Sequence, residues 1–132
     1  MRTHYTLTLA MLTGCGLGAA AVEGLHAQAK PPIYYVVEID STNPDAYAKE
    51  FAPQAQAIIK AAGGRFLAIG GAGATGAKEV IAIEGEPPKR AVVMVWDTME
   101  QIRAWWANPE YLALRKDVDK YTKFRSFAVE GQ

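Results

Sequence analysis

Apolar and polar positions alternate from Ile33 to Asp40. Ile33, Tyr35, Val37 and Ile39 fall on one face of a strand, and Tyr34, Val36, Glu38 and Asp40 on the other. The period then lengthens. Tyr47, Phe51, Ala55, Ile58, Ile59 and Ala62 recur at helical spacing. Asn43 suits the N-cap, Pro44 the first helical position, and Asp45 puts negative charge where the helix dipole favours it. Pro53 lies inside this pattern without an N–H to donate and predicts a kink or a split. Gly63-Gly64 predicts the helix end, because glycine takes the left-handed cap at little cost.

Arg65 to Gly70 reads as a second strand, and Gly71 to Lys78 (GAGATGAK) as a flexible connector. Glu79 to Glu84 reads as a short third strand, followed by a turn at Gly85-Glu86-Pro87-Pro88. Arg90 to Trp96 is apolar on both faces, the pattern of a strand covered on both sides. Thr98 opens a second helix with Gln101 as its capping-box partner, and Met99, Ile102, Trp105 and Trp106 form its buried side. Asn108-Pro109 breaks and restarts it as a short helix carrying Tyr111, Leu112 and Leu114. Phe124 to Glu130 is the last strand.

This order gives an α+β domain on the split βαβ plan of the ferredoxin-like fold: an antiparallel sheet with two helices on one face. The other face, with Ala91, Val93 and Val95, is also apolar. Left wet, it would be a larger patch than monomers usually expose. A homodimer with two sheets packed face to face is therefore expected. The alternative is a monomer whose C-terminal segment folds over that face.

Residues 1–29 follow a different rule. Arg2 and His4 precede an uncharged stretch from Tyr5 to Val22, and Ala27 and Ala29 give a small-x-small pattern. Charged start, apolar middle and A-x-A end are the parts of a secretory signal. Cleavage after Ala29 would leave residues 30–132 as a single exported domain, periplasmic or secreted. Two alternatives stand beside this one. The stretch is near the ~20 apolar residues a membrane span needs, though rich in Gly, Ala and Thr. Leu12-Thr13-Gly14-Cys15 also resembles a lipobox, which would make Cys15 a lipidated anchor. Without an uncleaved signal or a lipidated Cys15, no membrane partner is expected.

Cleavage would also remove Cys15, His4 and His26, so the mature chain would have no Cys and no His. That excludes a disulfide, Ser-His and Cys-His catalysis, the usual zinc sites and the usual haem ligands. The acids show no EF-hand spacing, so no metal and no cofactor are expected. The 14 basic and 14 acidic residues balance, which leaves no basic stripe for nucleic acid. The run Gly70 to Gly76 lacks the G-K-[ST] ending of a phosphate loop and is followed by a strand pattern instead of a helix.

Several stretches together resemble one family of small bacterial proteins, the domain-of-unknown-function family thirteen-thirty of the dimeric α/β-barrel superfamily. They are Tyr35 to Asp40, Asn43-Pro44-Asp45-Ala46-Tyr47, Gly63 to Leu67, Glu84-Gly85 with Pro88-Lys89-Arg90, and Trp105 through Asn108-Pro109-Glu110-Tyr111. The resemblance implies a ferredoxin-like protomer, a dimer and no established reaction. Its superfamily includes cofactor-free monooxygenases and lactone isomerases, a likeness of fold and not of site.

The residues leave acid–base chemistry to carboxylates, Tyr, Lys and Arg. Asp40 and Glu38 are candidate bases, and Arg65 and Arg90 candidate stabilisers of negative charge. Tyr47, Trp96, Trp105, Trp106 and Tyr111 are candidates to bind a small apolar or aromatic ligand between sheet and helices. Each has a plainer reading. Trp105 and Trp106 read more readily as core, Tyr47 and Tyr111 as helix packing, and Arg65 with Asp40 or Glu38 as a structural ion pair. Three functions remain open: a small-molecule binding module, a cofactor-independent enzyme of monooxygenase or isomerase type, and a structural or stress-related envelope protein.

Overall fold

The computed structural model describes residues 30–71 and 78–132. The expected export signal, with its cleavage site and Cys15, lies outside the described residues, as does most of the glycine-rich connector. Pro31–Gln132 forms one compact unit.

Strand β1 (Ile33–Ser41) is followed by a helical run in three parts: α1 (Pro44–Ala46), a π-helical turn (Tyr47–Phe51) and α2 (Ala52–Ala62). Next come β2 (Arg65–Gly71), β3 (Arg90–Trp96), α3 (Met99–Trp106), α4 (Pro109–Val118) and β4 (Thr122–Glu130). The strands form one antiparallel sheet in the order β2-β3-β1-β4. This is the ferredoxin-like arrangement, with the first and third strands central.

The helix starts form as the caps predict. Asn43 Oδ1 accepts from the Ala46 N–H at 3.2 Å, and Thr98 and Gln101 complete a capping box. Asn108 Oδ1 accepts from Glu110 and Tyr111. Gly63 closes α2 at a φ of 108°, a left-handed value that favours glycine.

Pro53 splits the run as expected, and the split takes the form of a π-helical turn, with Pro53 in the first turn of α2. It has no N–H, and its ring crowds the carbonyl four residues back. The helix widens one turn earlier, where the Ala52 N–H reaches the Tyr47 carbonyl five residues back. The run continues, with Tyr47 and Phe51 both buried.

One expected element is absent. Residues 79–84 lie outside the strands; only Lys78 bridges to Gly70. Past that bridge, Ile81 is 72% and Ile83 94% exposed. Strand propensity without a ladder partner does not make a strand, and no neighbouring strand is offered to this segment among the described residues.

Register sorts the side chains onto two faces. Ile39 opposes Arg90 and Phe124, Val37 opposes Val92 and Ser126, and Tyr35 opposes Met94 and Ala128. These rows share the face that carries the apolar core beneath the helices. On the opposite face, Tyr34 opposes Val95 and Val129, and Val36 opposes Val93 and Phe127. Tyr34, Phe127 and Val129 are exposed there. Because β4 is an edge strand of the sheet, residues 122–130 do not cover this face.

Candidate functional site

A cavity of about 50 Å³ lies between the helix-facing side of the sheet and the helices. The sheet contributes Tyr35, Val92, Arg90 and Phe124; the π-helical turn and α2 contribute Tyr47, Phe51 and Ala55. Trp105 and Trp106 from α3, with Tyr111 and Arg115 from α4, close the other side. A second, outer pocket of about 200 Å³ is walled by Ile39, Ser41, Pro44, Tyr47, Lys89 and Arg90. Ile39, Tyr47 and Arg90 belong to both walls.

The aromatic wall is cross-braced. Trp105 stacks on Trp96 with centroids 5.3 Å apart and lies 4.9 Å from Tyr111. Tyr35 meets Trp105 edge-on, accepts from Trp106 Nε1 at 3.1 Å and donates to Ser126 Oγ at 2.7 Å. Such ring pairs add about 0.5–1.5 kcal/mol each beyond area burial, so the wall is stiff. Trp105 is 3% exposed, yet its indole N–H has no hydrogen-bond partner among the described residues.

Two arginines enter this apolar setting. Arg90 is 4% exposed, and its guanidinium lies 4.9 Å from the Tyr47 ring centroid. Arg115 lies over Phe124 at 4.2 Å and Trp106 at 5.1 Å, while its Nε donates to Asp119 at 2.9 Å. Burial works to lower the Arg115 pKa, but hydrogen bonds with Tyr111 and Asp119 hold it above its ordinary value. Burial pushes the Tyr47 hydroxyl up to about 12, against the pull of the Arg90 charge. It also raises Tyr111, against the pull of Arg115. Both phenols are therefore neutral donors at physiological pH.

The residues expected from sequence fall into two groups. Tyr47, Trp105, Trp106, Tyr111 and Arg90 come together on the cavity wall. Trp96 does not; it is completely buried under Trp105 as core. The proposed bases are not there either. Glu38 sits on the opposite sheet face, where Arg125 Nη1 donates to it at 3.2 Å. Strand parity places it there, since only odd-numbered β1 residues face the helices. Asp40 is exposed and accepts from the Lys89 backbone N–H at 3.0 Å. Arg65 pairs with Asp97 at 3.0 Å, not with Asp40 or Glu38. It opposes Val95 at the far edge of the sheet, with the whole of β3 between it and β1.

Sequence reading overlooked Tyr35, Arg115 and Ser126. Tyr35 carries a hydroxyl on the otherwise apolar face of β1, and Arg115 is four residues beyond Tyr111 on one helix. Those offsets were available signals. Among the described residues, no group of three His, Cys, Asp or Glu is placed to hold a metal, and no helix is long and apolar enough to cross a membrane.

The fold is shared with solved structures. SnoaB, a cofactor-independent oxygenase from Streptomyces nogalater, is similar with a TM-score of 0.54 at 11% identity, over 77% of this chain and 94% of its own. A protein of unknown function from Rhodopseudomonas palustris is similar with a TM-score of 0.54 at 14% identity, over 86% of this chain and 92% of its own. At these identities the likeness is one of fold. Among curated proteins, none matches the sequence. The family described as "Domain of unknown function (DUF1330)" matches residues 32–132, and the chain belongs to that family.

Proposed function

We propose that this protein is a small-molecule binding module whose ligand occupies the cavity between sheet and helices. The observation that carries the reading is a pair of pockets that share Ile39, Tyr47 and Arg90 in their walls, the first of them lined by a braced aromatic cluster. A concave, mostly apolar space with a few converging polar groups suits a compact organic ligand.

The enzymatic alternative, with Asp40 or Glu38 as base, lacks its base at the cavity, because both carboxylates lie outside it. The fold shared with a cofactor-independent oxygenase does not supply one.

Native mass spectrometry of protein purified from its own cells tests binding. The expected spectrum contains a dissociable mass on the chain. Ala55→Leu, which projects a larger side chain into the cavity from α2, is expected to lose that mass while keeping its fold. Retention of the mass by this variant would contradict the cavity as its site.

Two further readings belong to this proposal. Residues 1–29 act as an export signal cleaved after Ala29, so protein from the envelope fraction should have a mass beginning at Lys30. The open apolar sheet face, with Tyr34, Val36, Val93, Phe127 and Val129, packs against the same face of a second copy. Face-to-face sheet packing would remove those side chains from water.

A further inference from the structure

We infer that residues 79–84 of one copy add as a strand to the outer edge of β4 in a second copy. The inference rests on the homodimer reading above and names the segment and the edge that meet.

Both halves of the contact are incomplete in a single chain. Residues 79–84 (EVIAIE) have strand composition, and Ile81 and Ile83 are exposed. Past the Lys78 bridge to Gly70 they have no ladder among the described residues. At the other end of the sheet, β4 is the last strand. It pairs with β1 from Thr122 to Glu130 in unbroken register. The N–H and C=O groups of alternate β4 residues therefore point away from β1. The strand has neither the proline nor the bulge that usually blocks such an edge.

The side chains match as well. The stretch 79–86 carries Glu79, Glu84 and Glu86 and no base. On its open face β4 carries Lys123 and Arg125, then Phe127 and Val129; its one acid, Glu130, comes last. Arg125 is shared with Glu38, whereas Lys123 has no ion pair among the described residues. Let Ile81 and Ile83 lie beside Phe127 and Val129, all four exposed in the single chain. A parallel strand then brings Glu79 towards the two cations, and an antiparallel one brings Glu84 and Glu86. Either direction covers the apolar side chains and sets opposite charges together.

The chain cannot make this contact with itself. Lys78 holds the segment at the β2 edge, and β3 and β1 stand between that edge and β4. A second copy can make it. When two such sheets pack face to face about a two-fold axis along the strands, the strand order reverses, and β2 of one lies over β4 of the other. Packed sheets are about 10 Å apart, and six extended residues span about 20 Å. The symmetry makes the contact twice. Ser126 of β4 is exposed and lines the inner cavity, so the added strand also runs beside the cavity rim.

A charge exchange on the full chain tests this. One variant makes the segment basic (Glu79→Lys/Glu84→Lys/Glu86→Lys); the other makes the edge acidic (Lys123→Glu/Arg125→Glu). Each alone sets like charges together at both contacts, and its dimer dissociation constant should rise at least about tenfold at low salt. Mixed, the two restore opposite charges at both contacts, so native mass spectrometry should show more heterodimer than random pairing gives. Dimerisation of both variants at wild-type strength would overturn the inference and leave face-to-face packing standing. So would two weakened variants that form no heterodimer when mixed. A monomeric wild type would overturn the homodimer reading, and this inference with it. If a variant fails to fold, hydrogen exchange of the wild type decides. The β4 amides that point away from β1 should be protected in the dimer and lose that protection on dilution; fast exchange of these amides in the dimer would overturn the inference.

Discussion

Tyr47 packs its ring against Phe51 and under the Arg90 guanidinium, so its hydroxyl has little water around it. A phenol held protonated up to about 12 when folded, against 10.0 ordinarily, makes stability depend on pH. The unfolded chain loses the proton first. The contribution is full below pH 10 and is lost as pH rises towards 12, at roughly 1.4 kcal/mol per unit. Urea denaturation between pH 9 and 11.5 should show this decline, and Tyr47→Phe should make it shallower. Tyr111, also raised, would keep part of the slope. An unchanged slope in Tyr47→Phe would mean that Tyr47 is not desolvated as described. Gly64 is a second residue with a sharp expectation. A Cβ there would stand 2.6 Å from both Ile59 Cγ2 and Trp96 Cζ2. Trp96 is fully buried and has nowhere to go, so Gly64→Ala should cost about 1–3 kcal/mol in denaturant unfolding. A neutral result would show that this corner of the core yields.

At the scale of elements, what the sequence made legible was whatever depends on neighbours along the chain. Caps at Asn43, Thr98 and Asn108 are local hydrogen bonds, and they form where the residues imply. Strand parity grouped Tyr35 with Ile33, Val37 and Ile39 on one face of β1, and the structure shows that this face meets the helices. Pairings across the sheet were not legible. Arg65 finds Asp97, and Glu38 finds Arg125, because of register and sheet order, which no local pattern encodes. Residues 79–84 failed for the same reason: they have strand composition and no partner strand. In the proposed homodimer, the exposed Ile81 and Ile83 would find their partner on the second copy. The double variant Ile81→Ser/Ile83→Ser should therefore keep its far-ultraviolet circular dichroism and its cavity binding but dissociate at higher protein concentration than the wild type. Loss of the monomer fold in this variant would assign those isoleucines to the protomer instead.

At the scale of the molecule, the sheet divides two tasks. Its helix-facing side carries the cavity and the paired aromatic wall; its open side carries Tyr34, Val36, Val93, Phe127 and Val129, with no helix over them among the described residues. Phe127→Lys puts a charge on that face without touching the cavity. Light scattering after size exclusion should read a dimer for the wild type and a monomer for this variant, with cavity binding retained. A monomeric wild type would contradict face-to-face association. The claim on which the rest depends is that a ligand enters beside the aromatic wall. Nitrogen-15 spectra of the three indole N–H groups, Trp96, Trp105 and Trp106, test it most directly during titration with benzoate, a small aromatic probe. Binding in the cavity predicts that the Trp105 and Trp106 signals move together along one saturation curve. Indole signals that stay still while resonances of the open face shift would contradict it.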